Sequence, residues 1–404
     1  MRDLKEYEEE IYRCSQCNFC LALCPVYRED LVESSVARGR LNLIQAALLE
    51  RTVPATGRVR ELINRCLLCT NCVQGCPSGI PVDDIVRAAR HELLKEHGPL
   101  WPEKLLFRQV LKRRPGASSA ARAVTWLRRF NLLPGRIPPL ADPPFAERVP
   151  CGSSRAGGGR ARVAYFVGCG TNYLYPDTGA AVLKVLGENQ VEVIIPEEQV
   201  CCGMPALAHG DFDAAAEAVR VNAGILASLD VDAVVTDCTS CGYMLRSKAA
   251  GVLPPDDPCL TQVLAVAGKT VEITEFIAGM GLNDIPASKP LTVTYHVPCH
   301  RSWSPGLVSA PERVISHLAG VQLVPLQEPE RCCGAGGTFF LTHSALGEEI
   351  RERKLNDILK TGAQMVITQC PACRYYLTEG LKGRGSLQVV HPMVLLAGLP
   401  APAE

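Results

Sequence analysis

The sequence predicts an α+β multidomain chain in which a mostly helical N-terminal unit is followed by two tandem α/β domains. Three observations carry this reading. A four-cysteine run occurs twice near the N-terminus, as Cys14-x-x-Cys17-x-x-Cys20-x-x-x-Cys24-Pro25 and as Cys66-x-x-Cys69-x-x-Cys72-x-x-x-Cys76-Pro77. A five-cysteine set occurs twice further on, each built round a Cys-Cys-Gly. Around those later cysteines, short β-type runs alternate with segments of helical length, the pattern of a parallel sheet.

Length and composition set the frame. At 404 residues the chain is too long for one ordinary domain. Its 42 basic and 42 acidic residues balance, so bulk electrostatics argues for neither nucleic acid nor a strongly charged partner, and no nucleic acid is expected. Twenty cysteines in tight Cys-x-x-Cys groups read as metal ligands in a reducing compartment, not as a disulfide framework. The first ten residues are acidic and lack the apolar core of a secretory signal. No apolar run approaches the roughly 18–20 residues of a membrane span. The expectation is a cytoplasmic protein, associated at most by surface contact with the inner face of the cytoplasmic membrane.

Residues 1–100 form the first unit. Ser34 or Ser35 is placed to cap a helix through Leu41, Leu43, Ile44, Ala47 and Leu48. A second helix opens at Ile80-Pro81-Val82 and runs to about His97, with Gly98-Pro99 as its stop. The long insertion between Cys24 and Cys66 makes this a mostly helical version of a ferredoxin-type unit. Residues 101–160 form a basic connector and linker. Lys104, Arg108, Lys112, Arg113, Arg114, Arg122, Arg128, Arg129 and Arg136 interleave there with Leu105, Val110, Trp126 and Phe130. Such a stretch suits an anionic membrane surface or a partner; packing on the protein's own core with a solvated arginine face is the reading preferred here. From Pro134 to Gly159 the chain is rich in Pro, Gly and Ser.

Residues 161–285 and 286–404 are two copies of one domain. Cys169 to Cys299 is 130 residues, Cys201 to Cys332 is 131 and Cys238 to Cys370 is 132. In the first copy, strands are expected at 162–167, 191–195 and 232–236, and in the second at 291–296, 321–326 and 365–368. Helices are expected at 179–186, 214–229, 311–318 and 346–359. The cysteines follow the strand ends, the edge at which open α/β sheets bind ligands.

The chemistry follows from the spacing. Three cysteines in seven residues, then Cys-Pro, is the bacterial ferredoxin run, whose fourth cysteine ligates the other cluster. Cys14, Cys17, Cys20 and Cys76 are therefore assigned to one [4Fe–4S] cubane, and Cys66, Cys69, Cys72 and Cys24 to a second. Zinc sites use well-separated pairs instead. The later sets are Cys169, Cys201, Cys202, Cys238 and Cys241, then Cys299, Cys332, Cys333, Cys370 and Cys373. Each offers one thiolate more than a cube needs. Gly203 and Gly334 relieve crowding where the backbone approaches a ligand. For one copy, zinc or a merely structural role stays open.

On these motifs the chain resembles the Cys-Cys-Gly family, which includes heterodisulfide reductase and the iron–sulfur subunits of glycolate, lactate and glycerol-3-phosphate dehydrogenases. The resemblance implies one or two further, non-cubane [4Fe–4S] clusters in the five-cysteine sets. The domain order, with Arg38-Gly39-Arg40, Arg65-Cys66-Leu67-Leu68-Cys69-Thr70-Asn71-Cys72 and Cys76-Pro77-Ser78-Gly79, is similar to the glycolate oxidase iron–sulfur subunits. The complete pairs Cys238/Cys241 and Cys370/Cys373 are instead similar to the heterodisulfide reductases of the D type, which share this domain order. The first match implies an electron-transfer subunit beside an FAD-containing dehydrogenase subunit, with a quinone or other acceptor downstream. The second implies a disulfide reductase with a catalytic non-cubane cluster.

Other signals are weaker. His296 and His300 flank Cys299 and are candidates to donate hydrogen bonds to a cluster or simply to pack; His209 and His343 call for the same two readings. Cys151 and Cys259 fall outside the repeat. No dinucleotide fingerprint or P-loop appears, so no flavin is expected on this chain. A hydroxy acid gives up a hydride, which a partner's flavin would have to take.

Overall fold

In the computed structural model, residues 2–98, 122–128, 137–149, 159–282 and 290–398 are described here. The duplicated region forms two four-stranded parallel sheets. The first contains β1 (Ala161–Tyr165), β2 (Val191–Ile194), β3 (Ala233–Thr236) and β4 (Thr270–Glu272) in the order β2-β1-β3-β4. The second contains β5 (Leu291–Tyr295), β6 (Val321–Leu323), β7 (Met365–Ile367) and β8 (Gln388–Val390) in the order β6-β5-β7-β8. All six pairings are parallel, and the registers correspond between copies, Val163 facing Ala233 as Val293 faces Met365. The helices expected from periodicity appear as Pro176–Glu188, Phe212–Ala227, Ala310–Ser316 and Ser344–Lys360.

Strand alternation explains how the copies meet. Val163 and Tyr165 point one way on β1, Ala164 and, one residue beyond the strand, Phe166 the other, as the period of two requires. The first pair shares a core with Val293 and Tyr295 of β5, sealed by Val182, Val185, Ile315 and Val394 from flanking helices. The opposite faces build separate cores, one round Val219, Val234 and Leu207, the other round Leu355, Ile358 and Val366. The two sheets are thus joined through one continuous apolar layer.

The N-terminal unit is helical, as expected. Helix Val82–His97 places Val82, Ile85, Val86, Ala89 and Leu93 on one buried stripe, against Leu41 and Ile44 of helix Ala37–Ile44 and Ile63 of helix Gly57–Asn64. Each of the valine, isoleucine and leucine side chains contributes about 1.5–3 kcal/mol by leaving water. Asp83 and Asp84 in the first turn, and Lys95 and His97 in the last, complement the helix dipole. The helix stops at Gly98, whose φ of 70° few other residues accept.

Three expectations need correction. β4 and β8 were not foreseen; at three residues each, they lack enough alternation to register as strands. The strand expected at 321–326 is only Val321–Leu323. Neither Ser34 nor Ser35 caps the Ala37–Ile44 helix: its N-cap is Val36, and the Ser35 hydroxyl donates to Asp30 Oδ2 at 2.5 Å. That helix continues as a π-turn over Gln45–Leu49. Of the basic connector, Lys104, Arg108, Lys112, Arg113, Arg114, Arg129 and Arg136 lie outside the described residues, as does Cys151. The described stretch 122–128 is helical, with Arg122 paired to Glu147 at 2.6 Å. Among the described residues, no helix is long and apolar enough to cross a membrane.

Candidate metal centres

The two ferredoxin runs wind identically. Gln16 and Asn18 have φ of 52° and 72°, and their counterparts Leu68 and Thr70 have φ of 53° and 60°. Left-handed backbone at non-glycine residues costs energy and recurs where a ligand dictates the path. After each pair a short helix follows, Phe19–Leu23 and Asn71–Gln74. Two cavities result. Cys14, Cys17, Cys20 and Cys76 line the outer one, beside Leu41, Ile80 and Arg38. Cys24, Cys66, Cys69 and Cys72 line the inner one, beside Val26, Leu67 and Asp83. Cys72 also borders the outer cavity, so it stands in the wall between them. Cys17 is exposed, whereas Cys24 and Cys69 are buried.

The inner cavity carries a signature that suits an anionic occupant. Arg40 reaches it from helix Ala37–Ile44 and is 2% exposed. Its Nε and Nη2 have no hydrogen-bond partner among the described residues. Burial disfavours its charge, yet Cys66, Cys24 and Cys72 beside it outweigh burial and hold its pKa above the ordinary value. A buried guanidinium without a carboxylate demands negative charge nearby. A cluster held by four thiolates supplies that charge, and the residues fit it.

The Cys-Cys-Gly sets are congruent. In the first copy, thiol contacts run in series from Cys169 to Cys201, Cys202, Cys241 and Cys238. In the second they run from Cys299 to Cys332, Cys333, Cys373 and Cys370. Each series therefore brings all five predicted cysteines of its copy together. The middle thiol is the most acidic: hydrogen bonds from Cys201 and then Cys241 bring Cys202 down to about 6, and those from Cys332 and Cys373 bring Cys333 down to about 5. A metal-ligating thiolate needs this stabilisation. Gly203 and Gly334 turn the chain after the paired cysteines with φ of 91° and 87°. A Cβ at Gly334 would sit 2.7 Å from Gly347 O, and one at Gly203 3.2 Å from Ala215 O.

The sites touch one another, in an order that differs from chain order. Buried Cys69 of the inner cavity lies within electrostatic reach of Cys332 and Cys299, while Cys370 reaches Cys238 of the first copy. The sequence is outer cavity, inner cavity, second copy, first copy. Short links fix it. The Thr70 hydroxyl donates to Cys299 O at 3.2 Å. His300 joins Leu68 O at 3.2 Å and Ser240 Oγ at 3.0 Å, and stacks on Tyr243, whose hydroxyl donates to Asp83 at 2.8 Å. His300 therefore ties three segments together, and both its ring nitrogens are engaged by them. His209 meets Thr338, and His343 stacks on Phe339. His296 differs: it is 1% exposed, and a ring nitrogen and the Sγ atoms of Cys333 and Cys373 lie within 4.8 Å of one another. Burial, then Lys354 and Arg301, hold its pKa well below 6.5, so the ring is neutral. Cys259 sits at the start of helix Leu260–Lys269 and packs against the core that holds Cys201, Cys202, Cys238 and Cys241.

Sequence reading missed Arg40 as a site residue, although an arginine on the apolar face of its helix, among Ala37, Leu41 and Ile44, was a usable signal. It also missed the spatial order of the sites, for which spacing along the chain holds no signal.

Comparison with known proteins agrees with this geometry. The model of a cysteine-rich domain matches residues 163–246 and 293–378, and that of a 4Fe-4S dicluster domain matches residues 10–80. Lactate utilization protein A of an Exiguobacterium species is 31% identical over 57% of this chain and 94% of its own length. The chain belongs to the Cys-Cys-Gly family of iron–sulfur proteins. Within that family, the probable glycolate oxidase iron-sulfur subunit of Bacillus subtilis is 25% identical over 96% of this chain and 94% of its own. A subunit of the fumarate reductase (CoM/CoB) of Methanothermobacter marburgensis is 28% identical over 95% of this chain and 71% of its own.

Proposed function

We propose that this chain is the iron–sulfur electron-transfer subunit of a flavin-linked 2-hydroxy-acid dehydrogenase, with glycolate or lactate as the substrate class. An FAD-containing partner subunit would oxidise the acid, and a quinone or another carrier would take the electrons. The relatives named for glycolate oxidase and lactate utilization support the substrate class.

The observation that carries the reading is the unbroken line of cysteine sites from the exposed Cys17 to the buried first copy. Cys14, Cys17, Cys20 and Cys76 would hold one cubane, and Cys24, Cys66, Cys69 and Cys72 the other. The two five-cysteine sets would hold further, non-cubane clusters. Clusters of this kind, when bound, take up and release single electrons over a wide range of potentials. The chain's own contribution is placement and electrostatics. Arg40 offsets negative charge at the inner site, Cys72 brings the cubane sites within one residue of each other, and Cys69 abuts the second copy.

Anaerobic affinity purification from native cells tests the proposal. A co-purifying flavoprotein that oxidises glycolate or lactate and reduces this chain is the expected result. A second reading is a heterodisulfide-type reductase, favoured by the complete five-cysteine sets and by the similarity to the CoM/CoB fumarate reductase of Methanothermobacter marburgensis. Thiol–disulfide turnover by the isolated chain, without flavin, would establish that reading and displace the first.

A further inference from the structure

The two five-cysteine sets match atom for atom in contact order, but one position beside them does not. Phe166 and His296 are equivalent, each one residue beyond its strand: the Phe166 N–H donates to Val235 O at 2.9 Å and the His296 N–H to Ile367 O at 3.0 Å. Phe166 is 0% exposed and packs in the core that holds Cys201, Cys202, Cys238 and Cys241. An apolar ring is therefore sufficient to fill that space. His296 fills the same place in the second copy, yet neither of its ring nitrogens has a hydrogen-bond partner among the described residues. Cys333 and Cys373, the counterparts of Cys202 and Cys241, are the donor atoms it faces. A buried polar ring left unpaired is unfavourable, so the imidazole in this position points to a group between those sulfurs.

We propose that His296 is a sixth donor of the second Cys-Cys-Gly site, contacting the iron–sulfur group held there and raising its reduction potential above that of the first site. The inference rests on the reading that the second set holds such a group. Two contacts share the same chemistry: an N–H donated to a cluster sulfur, or a neutral nitrogen bound to iron. A donated N–H offsets negative charge on the cluster sulfur, and a neutral nitrogen at an iron position that a thiolate would otherwise fill leaves one negative charge fewer; each favours the reduced form. No such donor stands at Phe166. The second site, adjoining Cys69 of the ferredoxin unit, is then where an electron rests, and the first site is the harder one to reduce.

The test uses the full chain, loaded with iron, purified anaerobically from cells fed ¹⁵N-histidine. Redox titration followed by EPR gives the potential of each site, and pulsed EPR reads nitrogen coupling. The native chain should show ¹⁵N coupling on a second-site signal. His296→Phe should abolish it, with iron content retained, and shift the oxidised-to-reduced ratio at fixed potential at least tenfold toward oxidised, about 59 mV for one electron. If His296→Phe fails to load, the native coupling and Phe166→His decide. Phe166→His should create a coupling on the first site and move its potential upward. A second site that carries iron but shows no histidine coupling, with potentials unmoved in either variant, overturns the inference. A native chain with no iron at the second site overturns the cluster reading beneath it, and iron analysis separates the two failures.

Discussion

The two Cys-Cys-Gly copies share strand order, register and the path of their thiols, but they differ in the side chains that surround that path. Tyr165 and Asp237 of the first copy become Tyr295 and Gln369 in the second, where the Tyr295 hydroxyl donates to Gln369 Oε1 at 2.6 Å. Glu272 at the end of β4 becomes His391 at the end of β8. Each of these two caps the helix that follows: a Glu272 oxygen accepts from Thr274 N at 2.8 Å, and His391 Nδ1 from Met393 N at 3.1 Å. Phe166 becomes His296. The backbone and ligand set are what duplication preserved, and the charges round them are where the copies diverged. Congruent cysteines alone therefore do not make equivalent sites.

The largest effect that would break this comparison comes from the ligands. Cys202→Ser and Cys333→Ser each remove the most acidic thiol of one set. Each variant should lose the iron of its own copy and keep the other, measured as iron per chain after anaerobic purification. Loss from both copies in either variant would mean that the sets are not independent.

Arg40 comes next, because its effect should change sign with loading. In the cluster-free chain Arg40→Met removes a buried, unpaired charge, and stability should rise by about 1–4 kcal/mol. In the loaded chain the same change removes the positive charge beside the inner cluster, so iron retention and the inner-site potential should both fall. Denaturation midpoints with and without iron read both arms.

The glycine turns compare the copies directly. Gly203→Ala and Gly334→Ala each force a left-handed φ on alanine, costing about 1–2 kcal/mol. Gly334→Ala should cost more, because its new Cβ meets backbone oxygen at 2.7 Å where that of Gly203→Ala has 3.2 Å. Urea midpoints of the two variants, measured side by side, rank them. The reverse order would show that the second copy relaxes where the first does not.

The two capping groups separate the copies by pH. Burial raises the Glu272 carboxyl to about 8, against the opposing bonds from Thr274 and Gln369. The folded chain then holds a proton that the unfolded chain has released, so stability falls as pH rises from about 4.5 to about 8. Burial lowers His391 to about 3, so this group makes stability fall as pH drops from about 6.5 to about 3. Glu272→Gln should flatten the alkaline side of a stability–pH curve, and His391→Gln the acid side. A Glu272→Gln curve parallel to that of the native chain between pH 5 and 8 would show the carboxylate to be charged in the fold.

Much of this arrangement is legible in the sequence. The offsets of 130, 131 and 132 residues reveal the duplication because loop lengths between ligand positions have changed by only one residue at a time. The apolar runs before Cys169, Cys238, Cys299 and Cys370 mark strands ending at a binding edge. What was hidden is what packing decides. β4 and β8 are too short for periodicity and form because a neighbouring edge is present to pair with them. Ser35 prefers the Asp30 carboxylate over the helix end. The second copy lies next to the ferredoxin unit through contacts such as Thr70 to Cys299, separated by 229 residues, and no local rule reaches that far.

The order of the four sites is the claim on which the rest depends. Its most direct measurement is the spin–spin interaction in the fully reduced, iron-loaded chain, read by EPR in the native protein and in Cys202→Ser and Cys333→Ser. With the second-copy cysteine site between the inner cubane site and the first-copy site, Cys333→Ser should isolate the first-copy signal, while Cys202→Ser leaves the second copy coupled to the inner cubane. Coupling between the first copy and a cubane that survives Cys333→Ser, or a native chain with only about eight irons, would contradict that order.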